Sequence, residues 1–170
     1  VVKARENGTI ELILTQPLER WRYALTSFVT FAIALAALCI IAVATVMLVS
    51  LIFGVGISCV GQLKVMLLLW LLLLALGSIS LFASCALSSS GQVYAFGITI
   101  LAVSYLVNFL ANNWVFFRII DHAFPYHYYD PYGVMTTPGF PWSSLIYFGA
   151  VSIAFAALSM VALQRKDIAI

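Results

Sequence analysis

Four stretches of this chain carry no charged side chain and few polar ones: residues 24–53, 65–87, 93–111 and 144–163. Each is long enough to cross the roughly 30 Å hydrocarbon core of a bilayer as an α-helix, which takes about 20 apolar residues. The first run, at 30 residues, would be about 45 Å long at 1.5 Å per residue, so it must tilt, bend or project. Polar or glycine-bearing breaks separate the runs: Gly54-Val55-Gly56, then Ser88-Ser89-Ser90-Gly91-Gln92, then Asn112-Asn113. A β-barrel would need alternating apolar and polar positions over about ten residues, and these runs do not alternate. The pattern predicts an all-α, polytopic transmembrane bundle forming a single domain.

Residues 112–143 are different. They are too polar for a span, yet they hold Trp114, Phe116, Phe117, Phe124, Tyr126, Tyr128, Tyr129, Tyr132, Phe140 and Trp142. Such rings favour the membrane–water boundary. Pro125, Pro131, Pro138 and Pro141 forbid a long regular helix. The segment reads as short helices lying in, or dipping into, the outer interface.

Composition agrees with the pattern. The chain is 64% hydrophobic and 8% charged, against about 25% charged for ordinary soluble domains. The net charge of +2 gives no footprint for nucleic acid. Cys39 and Cys85 fall inside apolar runs, so no disulfide framework is implied. No Walker A loop or glycine-rich dinucleotide turn is present.

Lysine and arginine placement orients the spans. With residues 1–23 and the tail 164–170 in the cytoplasm, the inside carries Lys3, Arg5, Arg20, Arg22, Arg165 and Lys166, and the outside Lys64 and Arg118. The opposite orientation would reverse that bias.

The polar start of the chain is the most informative stretch. Gly8 can turn the backbone, Thr9 can cap a following helix, and Glu11 sits in its first turn. Ile10, Ile13 and Leu14 form an apolar stripe, and Pro17 closes this helix and can open the next. The outcome is a short amphipathic helix on the inner face, joined by a proline corner to the first span. Two readings stay open on these residues: a lever for a cytoplasmic partner, or an interfacial anchor.

The pattern Glu6-x-Gly8-Thr9-x-Glu11-x-Ile13-Leu14-x-x-Pro17 resembles the cytoplasmic coupling segment of ATP-binding-cassette permeases of the type-2 exporter (ABC-2) class. The stretch Phe124-Pro125-Tyr126-His127-Tyr128-Tyr129-Asp130-Pro131-Tyr132 resembles the segment before their last span, and Leu163-Gln164-Arg165-Lys166-Asp167-Ile168 is similar to their ending. The resemblance covers essentially the whole chain. It implies a dimeric permease of the inner (plasma) membrane, exporting a substrate with a separate ATP-binding subunit that carries ATP and Mg²⁺. The chain itself would be no enzyme and hold no cofactor. Glu6, Gly8, Thr9, Glu11, Pro17 and Arg20 would form the ATPase-coupling interface, with Arg20 and Arg22 pairing with acidic ATPase residues or lipid phosphates. Family permeases usually have six spans, two of them before this segment. The chain begins at Val1 and so reads as the C-terminal part of a longer protein.

Within the spans, Ser80, Ser84, Ser104 and Asn108 are candidate lining for a translocation path, with Ser78 and Thr99 beside them. The alternative is hydrogen-bonded glue between helices. Gly77, Ala32, Ala36, Gly97, Gly149 and Ala150 read as close-packing positions. Asp121, His122, His127 and Asp130 gather on the outer side, but their spacing fits no helical metal-ligand pair, and no metal site is expected. An ion pair between Arg118 and Asp121, at i, i+3, is the plainer reading. Two other functions remain: a membrane-embedded enzyme using His122 or His127, and a non-catalytic anchor or assembly protein.

Overall fold

The computed structural model describes residues 20–54, 56, 58–87, 89–136 and 139–165. Among them the structure is all-α, with four long helices and a cluster of short ones, as the apolar runs predict. α1 is Arg20–Phe53, α2 Cys59–Ala86 and α3 Ser90–Ala111. α4 is Val115–Asp121, followed by a 3-10 turn at Pro125–Tyr128. α5 is Pro131–Thr136 and α6 is Trp142–Arg165. By length and apolarity, Leu25–Phe53, Cys59–Ala86, Ser90–Ala111 and Trp142–Ala162 suit a membrane span.

Local chemistry sets the helix ends. α1 stops at Gly54, whose φ of 65° is the left-handed conformation that glycine adopts without a Cβ penalty. Ser58 caps α2 by accepting from the Gly61 amide at 3.2 Å, and Ser89 caps α3 by accepting from Gln92 at 3.4 Å. α2 therefore begins six residues before its uncharged stretch. Gln62 and Lys64 lie within its first turns, where polarity alone suggests a loop. Lys64 reaches out of the helix to donate to the Gly139 carbonyl at 3.0 Å. A long side chain can end an apolar helix this way without burying its charge.

The core lies between α2 and α6, which share the most extensive contact of any two elements. Leu68, Leu72, Ala75, Ile79 and Ala83 recur at near-helical spacing on α2 and are all buried. Ser144, Phe148, Ser152, Ala156 and Ser159 form the matching stripe on α6. Small residues on both stripes let the backbones approach, the usual device where lipid removes the hydrophobic drive between helices. Phe148 is wholly buried and packs with Leu68, Leu72, Ala75 and Val134 of α5. Gly149 faces open space and Ala150 is exposed, so the small-residue contact on α6 runs through its serines instead.

α1 leans on α2 and α6 from outside, and none of its described side chains is buried. It touches α2 closely at Gly77, where an added methyl group would overlap the Phe31 ring. The indole of Trp70 donates to the Ala32 carbonyl at 3.2 Å, fixing the same level of the helix. α3 buries only Ser104, Val107 and Ala111 and leaves its other faces to the surroundings.

Candidate functional site

The coupling residues Glu6, Gly8, Thr9, Glu11 and Pro17 lie outside the described residues. Arg20 opens α1. The described part of the site therefore consists of an apolar hollow among the spans and a polar cluster beyond them.

The hollow, of about 490 Å³, opens between α1, α2 and α3 and is lined by Phe28, Phe31, Leu76, Gly77, Ser80 and Leu101, among others. Of the four path candidates, only Ser80 faces it. The Ser80 hydroxyl donates to the Leu76 carbonyl of its own helix at 2.9 Å. Ser84 is half-buried one turn further along. Ser104 is fully buried, and its hydroxyl has no partner in the structure. Asn108 belongs to the polar cluster described below. The four do not form one continuous lining. Nor are Ser78, Ser80 and Ser159 glue between helices, since each donates to a carbonyl of its own helix, at 2.7, 2.9 and 2.7 Å. A hydroxyl in an apolar helix meets its own i−3 or i−4 carbonyl first.

The polar cluster centres on Asp121 at the end of α4, which is 4% exposed. The expected pair with Arg118 does not form. The Asp121 carboxylate instead accepts from His127 Nδ1 at 2.7 Å and from Asn108 Nδ2 at 3.4 Å. The buried carboxylate turns inward to donors from α3 and the 3-10 turn, while Arg118 stays on the exposed side of its helix. This cluster ties the last turns of a span to the short helices.

Around it runs a ladder of rings. His122 lies on His127 with centroids 4.2 Å apart, and His127 meets the edge of Tyr128 at 4.9 Å. Tyr128 stacks on Tyr147 of α6 at 4.0 Å, and the Tyr147 hydroxyl donates to the Ala123 carbonyl at 2.7 Å. Burial, with the Tyr126 phenol nearby, pushes the Tyr129 phenol above its usual range. Asp130 is spent locally, with Oδ1 accepting from the Gly133 amide at 2.9 Å to start α5. Among the described residues, no group of three His, Cys, Asp or Glu side chains is placed to hold a metal ion.

Residues 1–168 match the family described as ABC-2 family transporter protein. The chain belongs to that family. No curated protein and no solved structure matches it. Membership and the four apolar helices make this a multi-pass membrane protein and a permease subunit of an ABC transporter. Such ABC-2 subunits are normally non-catalytic and associate with an ATP-binding partner. The sequence signals missed one feature of this ABC-2 chain: the Asp121–His127–Asn108 contact, whose members come from three different elements.

Proposed function

We propose that this chain is the membrane-spanning subunit of an ATP-driven exporter and works as a pair of copies with two ATP-binding subunits. The observation that carries the reading is the family match over residues 1–168. ATP and Mg²⁺ would be held by the partner. The segment 1–23 would dock on that partner from the cytoplasmic side of the inner membrane, through Glu6, Gly8, Thr9, Glu11, Pro17 and Arg20. The lysine and arginine bias supports that sidedness. Closure of the ATP-binding subunits would move the proline corner and, with it, α1, which lies outside the packed core. Ser80, in the hollow beside α1, is the best-placed polar contact for a transported molecule.

The test is assembly of the full-length protein with its ATP-binding partner after Glu11→Lys or Gly8→Trp. Both variants should lose co-purification of the partner and transport. Unchanged assembly and transport in both would reject the coupling role. The enzyme alternative has the His127–Asp121 contact in its favour, and the two-histidine variant His122→Ala with His127→Ala tells the readings apart, because a transporter should tolerate it better than a catalyst.

A further inference from the structure

A second hollow, of about 530 Å³, lies beside the histidines, and it collects hydrogen-bonding groups of two opposite kinds. Ser143 and Ser144 line it from the first turn of α6. That helix is 24 residues long, has no acidic residue in its first turn, and follows Pro141, which has no capping side chain. From its opening turn, Trp142 N donates back to Phe140 O at 2.9 Å and Leu145 N to Pro141 O at 3.1 Å. The Ser143 and Ser144 amides are thus left as donors at the positive end of the helix dipole. Ser144 is only 7% exposed, lines the hollow, and its hydroxyl has no hydrogen-bond partner. A nearly buried, unengaged hydroxyl beside free helix amides is the chemistry of an oxyanion site.

His122, His127 and Asp130 line the same hollow from the outer segment. His122 Nδ1 faces the Arg118 carbonyl at 2.8 Å, and His127 Nδ1 faces the Asp121 carboxylate at 2.7 Å. Both partners only accept, so in each ring Nδ1 carries the hydrogen, and Nε2 is the nitrogen left to meet a donor. Asp130 adds a carboxylate oxygen, Oδ2, that does not cap α5. This side calls for a cation with N–H donors, and the α6 side for an oxyanion.

We propose that this hollow holds the phosphoethanolamine headgroup of a lipid, with phosphate on the Ser143–Ser144 turn and ammonium on His122, His127 and Asp130. Depth agrees. The hollow sits where the Trp142–Ala162 span begins, so at the level where headgroups replace hydrocarbon. Trp142 and Tyr132 stand exposed beside it, as boundary rings do. A trimethylated ammonium has no N–H to give the imidazoles. A glycerol headgroup has no cation, and free phosphate fills only half of the site. The inference does not rest on transport direction or on the partner subunit.

The test is binding of short-chain lipids to the delipidated full-length protein in detergent, read by native mass spectrometry. Phosphatidylethanolamine should bind about tenfold more tightly than phosphatidylcholine or phosphatidylglycerol, and inorganic phosphate should compete poorly. Ser144→Ala, which removes one bond to a charged group, and His122→Phe, which keeps the ring stack but loses Nε2, should each weaken phosphatidylethanolamine by roughly tenfold. Equal binding of the three lipids, phosphate competing as well as phosphatidylethanolamine, or variants that bind like the unaltered protein would each overturn the proposal. The selectivity of the unaltered protein decides the matter even where a variant fails to fold.

Discussion

Phe31 of α1 lies so close over Gly77 of α2 that any side chain at Gly77 must push the ring away. The two residues set how near the peripheral helix comes to the core. Gly77→Val should move α1 outward and cost about 1–3 kcal/mol, the usual range for overpacking. Thermal unfolding in detergent measures the loss. Gly77→Val with Phe31→Ala should recover part of it, because the space is then vacated.

Asp121 is the buried end of a contact with two donors. Asp121→Leu should leave the Asn108 amide and the His127 ring without their acceptor and destabilise by about 1–3 kcal/mol. A double-mutant cycle with His127→Phe checks the origin of the effect. If the two residues act together, the second substitution adds little to the first. Arg118→Ala should leave stability within about 0.5 kcal/mol, since Arg118 is exposed and does not pair with Asp121.

Tyr147 joins α6 to the outer segment twice, by its stack on Tyr128 and by its hydroxyl on Ala123. Tyr147→Phe should lose only the hydrogen bond, roughly 0.5–1.5 kcal/mol. Tyr147→Ala should lose the stack as well and cost several times more. Chemical unfolding of both variants separates the two contributions.

The Tyr129 phenol is held above its ordinary value chiefly by burial, then by Tyr126. Its folded form therefore prefers the proton more than the unfolded chain does. The stability it contributes is complete below the unfolded value of about 10 and is lost as pH rises through the higher folded value. In an alkaline absorbance titration, replacing Tyr129 with Phe should remove a late-titrating phenol.

The spans were legible in the sequence because lipid leaves no room for charge, so an uncharged run of about 20 residues has one stable form. The start of α2 was not, since Gln62 and Lys64 look like loop until Lys64 is seen reaching Gly139. The same limit governed the site. Spacing on one helix paired Asp121 with Arg118, whereas the fold brought His127 and Asn108 to it from other elements. Polarity alone marks the path candidates in the sequence, and polarity does not say which way a helix is rotated. Hence Ser80 faces the hollow while Ser104 is enclosed.

The resting place of α1 has a geometric corollary. Two of its contacts with α2 come from the adjacent residues Phe31 and Ala32, which meet Gly77 and Trp70. The 490 Å³ hollow extends from there toward Ser27, and another of about 370 Å³, walled by Ala36, Cys39 and Val43, extends toward the other end. Beyond the second void Met47 Sδ accepts from Cys59 Sγ at 3.8 Å, so α1 is held at two levels with a void between them. A turn of a few degrees about Phe31 would widen one gap as it narrowed the other, and it would have to part only that weak thiol–thioether contact, about 24 Å of helix away.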